Sequence, residues 1–213
     1  MRWLLFWTAI VLGVSACGGD DGSDSPSSER DVGALTIYEL EPGFSLGVPT
    51  SWTAITRDEL RDTGAVERFS KDNPAVAPVL DGVLRSGSPM KFIALDPAAK
   101  QGFVTNVNVV VQDVPDDMEL ADLARSSAAD LRTLGVVRGL RTSMVSLPAG
   151  DAVKITYRMQ LRYGSMTRSV ATLQYALIAD GNSYVITYST LPDLEEEYAS
   201  AFTDSAQSLR LDD

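Results

Sequence analysis

The first apolar run, Trp3 to Val14, follows a single basic residue, Arg2. It is shorter than the ~20 apolar residues needed to cross a bilayer. The chain then turns polar until about residue 33, and hydrophobic positions return in short, patterned bursts. Ala34–Leu40 (ALTIYEL) and Phe44–Val48 (FSLGV) predict two strands joined by a turn at Glu41-Pro42-Gly43. Pro49-Thr50-Ser51 breaks the chain before Trp52. From Asp58 to Asn73 the composition is charged and mixed, with Leu60, Val66 and Phe69 as its anchors, which predicts a surface segment with a helical turn or two. Val76, Val79, Leu80 and Val83 recur at helical spacing behind Pro74, so 74–85 is expected to be a helix.

The second half is patterned more strongly. Met90–Leu95 is a predicted strand, and Asp96-Pro97 and Gly102 bracket the turn after it. In Phe103–Gln112, Val107, Val109 and Val111 face one way and Asn106, Asn108 and Gln112 the other. Asp116 or Asp117 is expected to cap a helix running to about Leu134, with Glu119 completing a capping box on Asp116. Its predicted buried stripe is Leu120, Leu123, Ala124, Ser127, Ala128, Leu131 and Leu134, and Gly135 ends it. Between Ser143 and Thr190 lies the clearest sheet signal. Val153, Ile155, Tyr157, Met159 and Leu161 alternate with Lys154, Thr156, Arg158, Gln160 and Arg162, giving one buried face and one wet face. Gly164-Ser165 and Asp180-Gly181 turn the chain into two further strands, Thr167–Ala179 and Ser183–Ser189. Pro192 opens a last helix with Glu195, Glu196 and Glu197 near its positive end, and with Leu194, Tyr198, Phe202, Ser205 and Leu209 on its inner face. The order of elements predicts an α+β domain, an antiparallel sheet covered by helices.

A resemblance runs along this pattern. "GFSLGVPTSW" resembles the opening Phe-x-x-x-x-Pro-x-x-Trp of PsbP-like domains, carried here by Phe44, Pro49 and Trp52. The stretches "SLPAGDAVKITYRMQL", "LQYALIADGNSYVITYST" and the closing "SAQSLRL" are similar to small actinobacterial lipoproteins of the LpqN/LpqT type. The likeness spans most of residues 35–211. It implies a PsbP-like α/β/α sandwich and a binding or accessory role. The insertion from Asp58 to Pro89 is longer than that pattern carries.

The apolar start adds an address. It closes on Val14-Ser15-Ala16-Cys17, followed by Gly, Asp, Ser and Pro. A short apolar core with small residues before a cut site marks a secretory signal. The set resembles a bacterial lipoprotein signal, although Val14 stands where Leu is commoner. The resemblance implies that Val14, Ser15 and Ala16 are read by the processing machinery and that Cys17 is lipid-modified. The expected divisions are residues 1–16 as signal peptide, 17–33 as lipidated cysteine and flexible tether, and 34–213 as one globular domain. Cys17 is the only cysteine, so it has no partner for an intramolecular disulfide. The expected location is the cell membrane or envelope, on the extracytoplasmic side, with the membrane reached through acylated Cys17.

Composition narrows the chemistry. The formal charge is −11, becoming −12 without Arg2, which disfavours nucleic acid as a partner. The chain has no histidine, and acylation of Cys17 removes its only thiol. Ser-His-Asp triads, Cys-His dyads and the usual zinc sites are therefore excluded by inventory; no cofactor or metal is expected.

The remaining constellations are weaker. Ser88-Pro-Met-Lys91 matches Ser-x-x-Lys, but the Ser-Asp-Asn and Lys-Thr-Gly partners are missing and Lys91 falls in a predicted strand. Asp20, Asp21 and Asp24 lack the ligand spacing of a calcium loop. Tyr38, Phe44 and Trp52 are expected in the core rather than lining a groove. Arg158, Arg162 and Arg168 form a candidate basic patch: the first two share a strand face, and the third lies on the next strand. A solvated sheet face is the simpler account of them, and an anionic ligand or partner the functional one. The expected function is a non-catalytic, lipid-anchored binding or accessory protein of the envelope, with a protein or small-ligand partner. The alternatives are a hydrolase or transferase built on Ser, Lys and carboxylates, and a structural subunit of an envelope complex.

Overall fold

The computed structural model describes residues 35–57, 59, 64, 66–67, 71, 89–98, 103–163 and 166–212. The signal, Cys17 and the tether lie outside them, as do the expected helix at 74–85 and the Gly164-Ser165 turn. The predicted opening hairpin is present as β1 (Leu35–Leu40) and β2 (Phe44–Pro49), turned by Gly43 in the left-handed region at φ 65°. Four residues beyond Trp52 form β3 (Thr53–Thr56), a strand too short to show a period in the sequence. After it, Thr56 and Glu59 bond reciprocally in a capping box, and Arg57, Glu59, Gly64, Val66, Glu67 and Lys71 are helical.

The rest follows as β4 (Met90–Leu95), β5 (Asn106–Asp113), α1 (Leu120–Thr133), β6 (Val137–Leu147), β7 (Gly150–Tyr163), β8 (Met166–Ala179), β9 (Asn182–Thr190), a 3-10 turn (Pro192–Leu194), α2 (Glu195–Ser208) and β10 (Arg210–Leu211). Among the described residues the strands form two antiparallel sheets. The larger has the order β3-β4-β5-β9-β8-β7-β6, and the smaller the order β1-β2-β10. The β8–β9 hairpin closes through Asp180 (φ 49°) and Gly181 (φ 70°), as an Asp-Gly hairpin should.

The two faces of the large sheet are covered differently. On the front, Val107, Val109, Tyr175, Ile186 and Tyr188 pack beneath α2 and the small sheet, with Tyr198, Phe202 and Leu46 above. On the back, Leu131 of α1 packs on Val153, Ile155, Tyr157 and Met159, while Leu123 meets Val110, Ala176 and Val185. Helices thus flank the sheet on both sides, the expected α+β sandwich.

Three local expectations are corrected. The capping box at Asp116 does not form: Asp116 and Asp117 sit in a turn closed by the Met118 N–H on Pro115 O, and the helix starts at Glu119 without a side-chain cap. Leu134 is 48% exposed instead of buried, because the helix ends before its stripe comes round again. The third concerns Arg168 and is described with the site.

Candidate functional site

Building the front of the molecule begins with the placement of α2. Gly47 of β2 sits so close that a Cβ there would stand 2.8 Å from Ser208 Oγ. The Gly47 N–H donates to Ser208 Oγ at 2.7 Å, and Ser205 Oγ donates to the Gly47 carbonyl at 2.5 Å. Tyr188 Oη donates to Ser205 Oγ at 3.0 Å, tying the helix to the sheet as well. Phe202 stacks with Tyr198, and Trp52 meets both edge-on. Tyr198 Oη donates to buried Asp96 at 2.5 Å; burial first, and then that carboxylate, push the phenol pKa far up.

A helix held this way cannot cover the whole front face. β6, β7 and part of β8 run out from under it, and a cleft of about 500 Å³ opens between them and α2. Arg141 from β6, Lys154 and Arg158 from β7, and Glu195 from α2 line it. Its lining also includes Leu173, Phe202 and Thr156, together with Thr190 and Thr203, whose hydroxyls are bonded to Thr105 Oγ1 and the Ala199 carbonyl. Arg158 Nη2 bonds Glu195 Oε1 at 2.6 Å, but both side chains are about half exposed, so the pair contributes roughly 0–1 kcal/mol. Neither Arg141 nor Lys154 has an ion-pair or hydrogen-bond partner among the described residues.

Register explains why the cations collect. Arg138 stands directly opposite Arg158, a like-charge pair disfavoured in a sheet. A bulge between Arg138 and Arg141, with Gly139 at φ 65°, restores the pairing so that Arg141 faces Thr156. Arg138 turns its guanidinium to the Gly135 and Val137 carbonyls at 3.0 and 2.9 Å. That leaves Arg141, Lys154 and Arg158 against one carboxylate, in a chain with 29 acidic and 18 basic residues. The cleft's chemistry suits an anion with an apolar portion.

The expected patch is redrawn accordingly. Arg158 lines the cleft. The side chain of Arg162 lies outside the described residues. Arg168 is on the opposite face: it shares its side of β8 with Val170 and Thr172, whereas Arg158 pairs with Ala171. The register sets Arg168 opposite Leu161, on the side away from Arg158. Arg141, Lys154 and Glu195 were missed. Lys154 stood on the wet face with Arg158, so its signal was present; Arg141 belongs to β6, whose exposed, polar sequence carries no period. The aromatic expectation holds, with Phe44 fully buried, Trp52 buried and Tyr38 packed on Phe92. Lys91 lies in β4, as expected.

The back of the sheet holds a second unusual feature. Asn106, Ser189, Thr172 and Tyr157 form one cross-strand row, and Asn108, Thr187 and Gln174 the next. All are buried, as is Ser127 of α1. Asn106 Oδ1, both amide atoms of Asn108, Gln174 Oε1 and the hydroxyls of Ser127, Tyr157, Thr172 and Ser189 have no hydrogen-bond partner among the described residues. Burial pushes the Tyr157 phenol pKa far up, and the adjacent Thr172 hydroxyl offsets this only in part without closing a hydrogen bond of good geometry. Each such atom costs about 1–3 kcal/mol if nothing partners it. Eight would match or exceed the ~5–15 kcal/mol net stability of a typical domain.

No protein-family model matches the chain, and no curated protein matches it either. Solved structures do. The cyanobacterial PsbP of Synechocystis aligns over 89% of this chain and 98% of its own, with a TM-score of 0.55 and 16% identity. LpqN of Mycobacterium tuberculosis, a protein involved in cell envelope biogenesis, aligns over 84% and 91%, with a TM-score of 0.51 and 13% identity. The Ran-binding protein Mog1p of Saccharomyces cerevisiae aligns over 84% and 96%, with a TM-score of 0.50 and 10% identity. At these identities the likeness is one of fold: the chain has a PsbP-like fold with a distant resemblance to LpqN.

Proposed function

We propose that this chain is a non-catalytic binding protein of the cell envelope, held at a membrane through acylated Cys17, and that its front cleft receives an anionic group. The observation carrying the reading is the cleft itself: three cations around one weakly held carboxylate, under a helix fixed by buried hydrogen bonds. An anion that displaces Glu195 from Arg158 gives up little, since the exposed pair is worth so little. The envelope setting is supported by the Val14-Ser15-Ala16-Cys17 pattern and by LpqN's part in envelope biogenesis. No described helix is long and apolar enough to cross a membrane; in this reading the attachment is acylated Cys17. A binding role is further supported by the lack of histidine and by the cleft lining, whose described residues include no serine beside Lys154. A structural-subunit role has less support: the large exposed apolar side chains among the described residues, Ile37, Leu134, Val136 and Met144, are scattered over β1, the α1–β6 turn and β6.

Two measurements on the full-length chain test this. Intact mass after membrane extraction is expected to show an N-terminus at acylated Cys17, with Cys17→Ala left unacylated. A free thiol at residue 17 would refute the anchor. A fluorescein-labelled oligoglutamate peptide is expected to bind in low salt and to weaken about tenfold or more in the Arg141→Glu/Lys154→Glu variant. Equal binding by both proteins would refute the cleft.

A further inference from the structure

The buried polar rows on the back of the large sheet stand apart from the cleft and need their own account. Directly opposed side chains there do not satisfy one another. Ser189 lies between Asn106 and Thr172 in register, and Asn108 lies opposite Thr187, yet only Gln174 Nε2 and Thr187 Oγ1 bond across strands, at 3.0 Å. Asn106 Nδ2 turns away to the Val104 carbonyl at 2.9 Å, leaving its Oδ1 on the array. Side chains stand roughly perpendicular to a sheet, so the unused donors and acceptors project the same way.

The array has a definite size and character. Its longer row crosses four neighbouring strands, and its two rows are two residues apart; strand geometry makes that about 14 by 7 Å. α1 closes one margin, with Leu123 and Leu131 on apolar neighbours and Ser127 turned in between them. Every member is uncharged at neutral pH. Arg168, the described cation on that side of β8, is four residues beyond Thr172, about 13 Å along the strand. A buried ion placed here would find no counter-charge among the array's own groups. The amide oxygens of Asn106, Asn108 and Gln174 seek donors, the Asn108 amide nitrogen seeks an acceptor, and four hydroxyls serve as either.

We infer that this face, beside α1, is a binding site for a small uncharged molecule carrying several hydroxyl or amide groups. Such a molecule supplies both donors and acceptors at the spacing the two rows present. The inference does not depend on the cleft or on the anchor.

Isothermal titration of the full-length chain, in a detergent without a sugar head group, tests it. The probes are glycerol, myo-inositol, glucose and N-acetylglucosamine, with glucose 6-phosphate as the charged comparison. At least one uncharged probe is expected to bind saturably. Glucose 6-phosphate is expected to bind at least tenfold more weakly than the best of them. Asn108→Leu/Thr172→Val is expected to weaken that binding tenfold or more, and Ser189→Ala, a milder change suited to the case where the double variant fails to fold, about threefold or more. Arg141→Glu/Lys154→Glu should leave it unchanged, which separates this site from the cleft. The inference is overturned if no uncharged probe binds, meaning that ordered water alone partners these groups. Binding that survives every back-face variant which folds overturns it equally.

Discussion

One hydroxyl of α2 is bonded to both sheets at once, and Ser205→Ala measures it. Ser205 Oγ accepts from Tyr188 Oη at 3.0 Å and donates to the Gly47 carbonyl at 2.5 Å, with all three groups buried. Removing it strands the phenol, at about 1–3 kcal/mol for a buried unpartnered donor. The Gly47 carbonyl keeps only Ser208 Oγ at 3.5 Å, adding about 0.5–1 kcal/mol. The expected total is about 2–4 kcal/mol. At ~2–4 °C per kcal/mol for a domain of this size, the melting temperature falls by roughly 4–16 °C. Tyr188→Phe should cost less, because Ser205 keeps its bond to Gly47. The double variant removes both ends of the first bond, so it should cost about 1 kcal/mol or more less than the two singles added together. Urea unfolding followed by circular dichroism, with m-values compared across the cycle, provides the numbers. A Ser205→Ala cost below about 0.5 kcal/mol, or strict additivity, would refute the argument.

Two further outcomes follow from the same packing. Tyr157, Tyr188 and Tyr198 have pKa values raised mainly by burial above the ordinary 10.0, so folding favours their neutral forms. Their stabilisation is fully present below pH 10 and is lost as pH rises from there towards the raised native values. Absorbance at 295 nm near pH 11 should thus show fewer of the seven tyrosines ionised than in urea-unfolded chain, and the urea midpoint should drop over the same range; complete ionisation with an unchanged dichroism spectrum would contradict this. Gly47→Ala should cost about 1–3 kcal/mol, since the new methyl would lie 2.8 Å from Ser208 Oγ and 2.9 Å from Ile37 Cδ1, and adding Ser208→Ala should recover part of it. A neutral Gly47→Ala would mean that α2 stands farther from β2 than described.

What the sequence reveals depends on whether burial leaves a period. β7, β8 and β9 were legible because one face is dry and the Asp180-Gly181 turn requires left-handed backbone. The stripe of α2 was legible for the same reason. β6 was not, because it is an edge strand whose side chains are mostly exposed, and β10 is too short for any pattern. The cleft was half visible for that reason: Arg158 was found through β7, Arg141 was lost with β6, and Glu195 was read only as a charge at a helix start. Arg168 was grouped with Arg158 by nearness in the hairpin, although its register partner is Leu161, on the other face. In β5 the alternation was correct, but polar Asn106 and Asn108 turned out as deeply buried as the valines between them. Periodicity distinguishes faces; it does not say what lies over each.

The small sheet is joined from opposite ends of the chain. β2 has β1 on one side and β10 on the other, and the Gly47–Ser208 bond spans 161 positions. A chain emerging N-terminus first therefore carries β2 with one edge bare until residues 210 and 211 appear. Closing that edge thus follows synthesis of every strand of the large sheet. A chain cut short by a few residues would keep an open strand edge, the kind that neighbouring copies recruit. Placing β10 beside β2 makes closure of the small sheet depend on two segments that flank the whole of the large sheet in sequence.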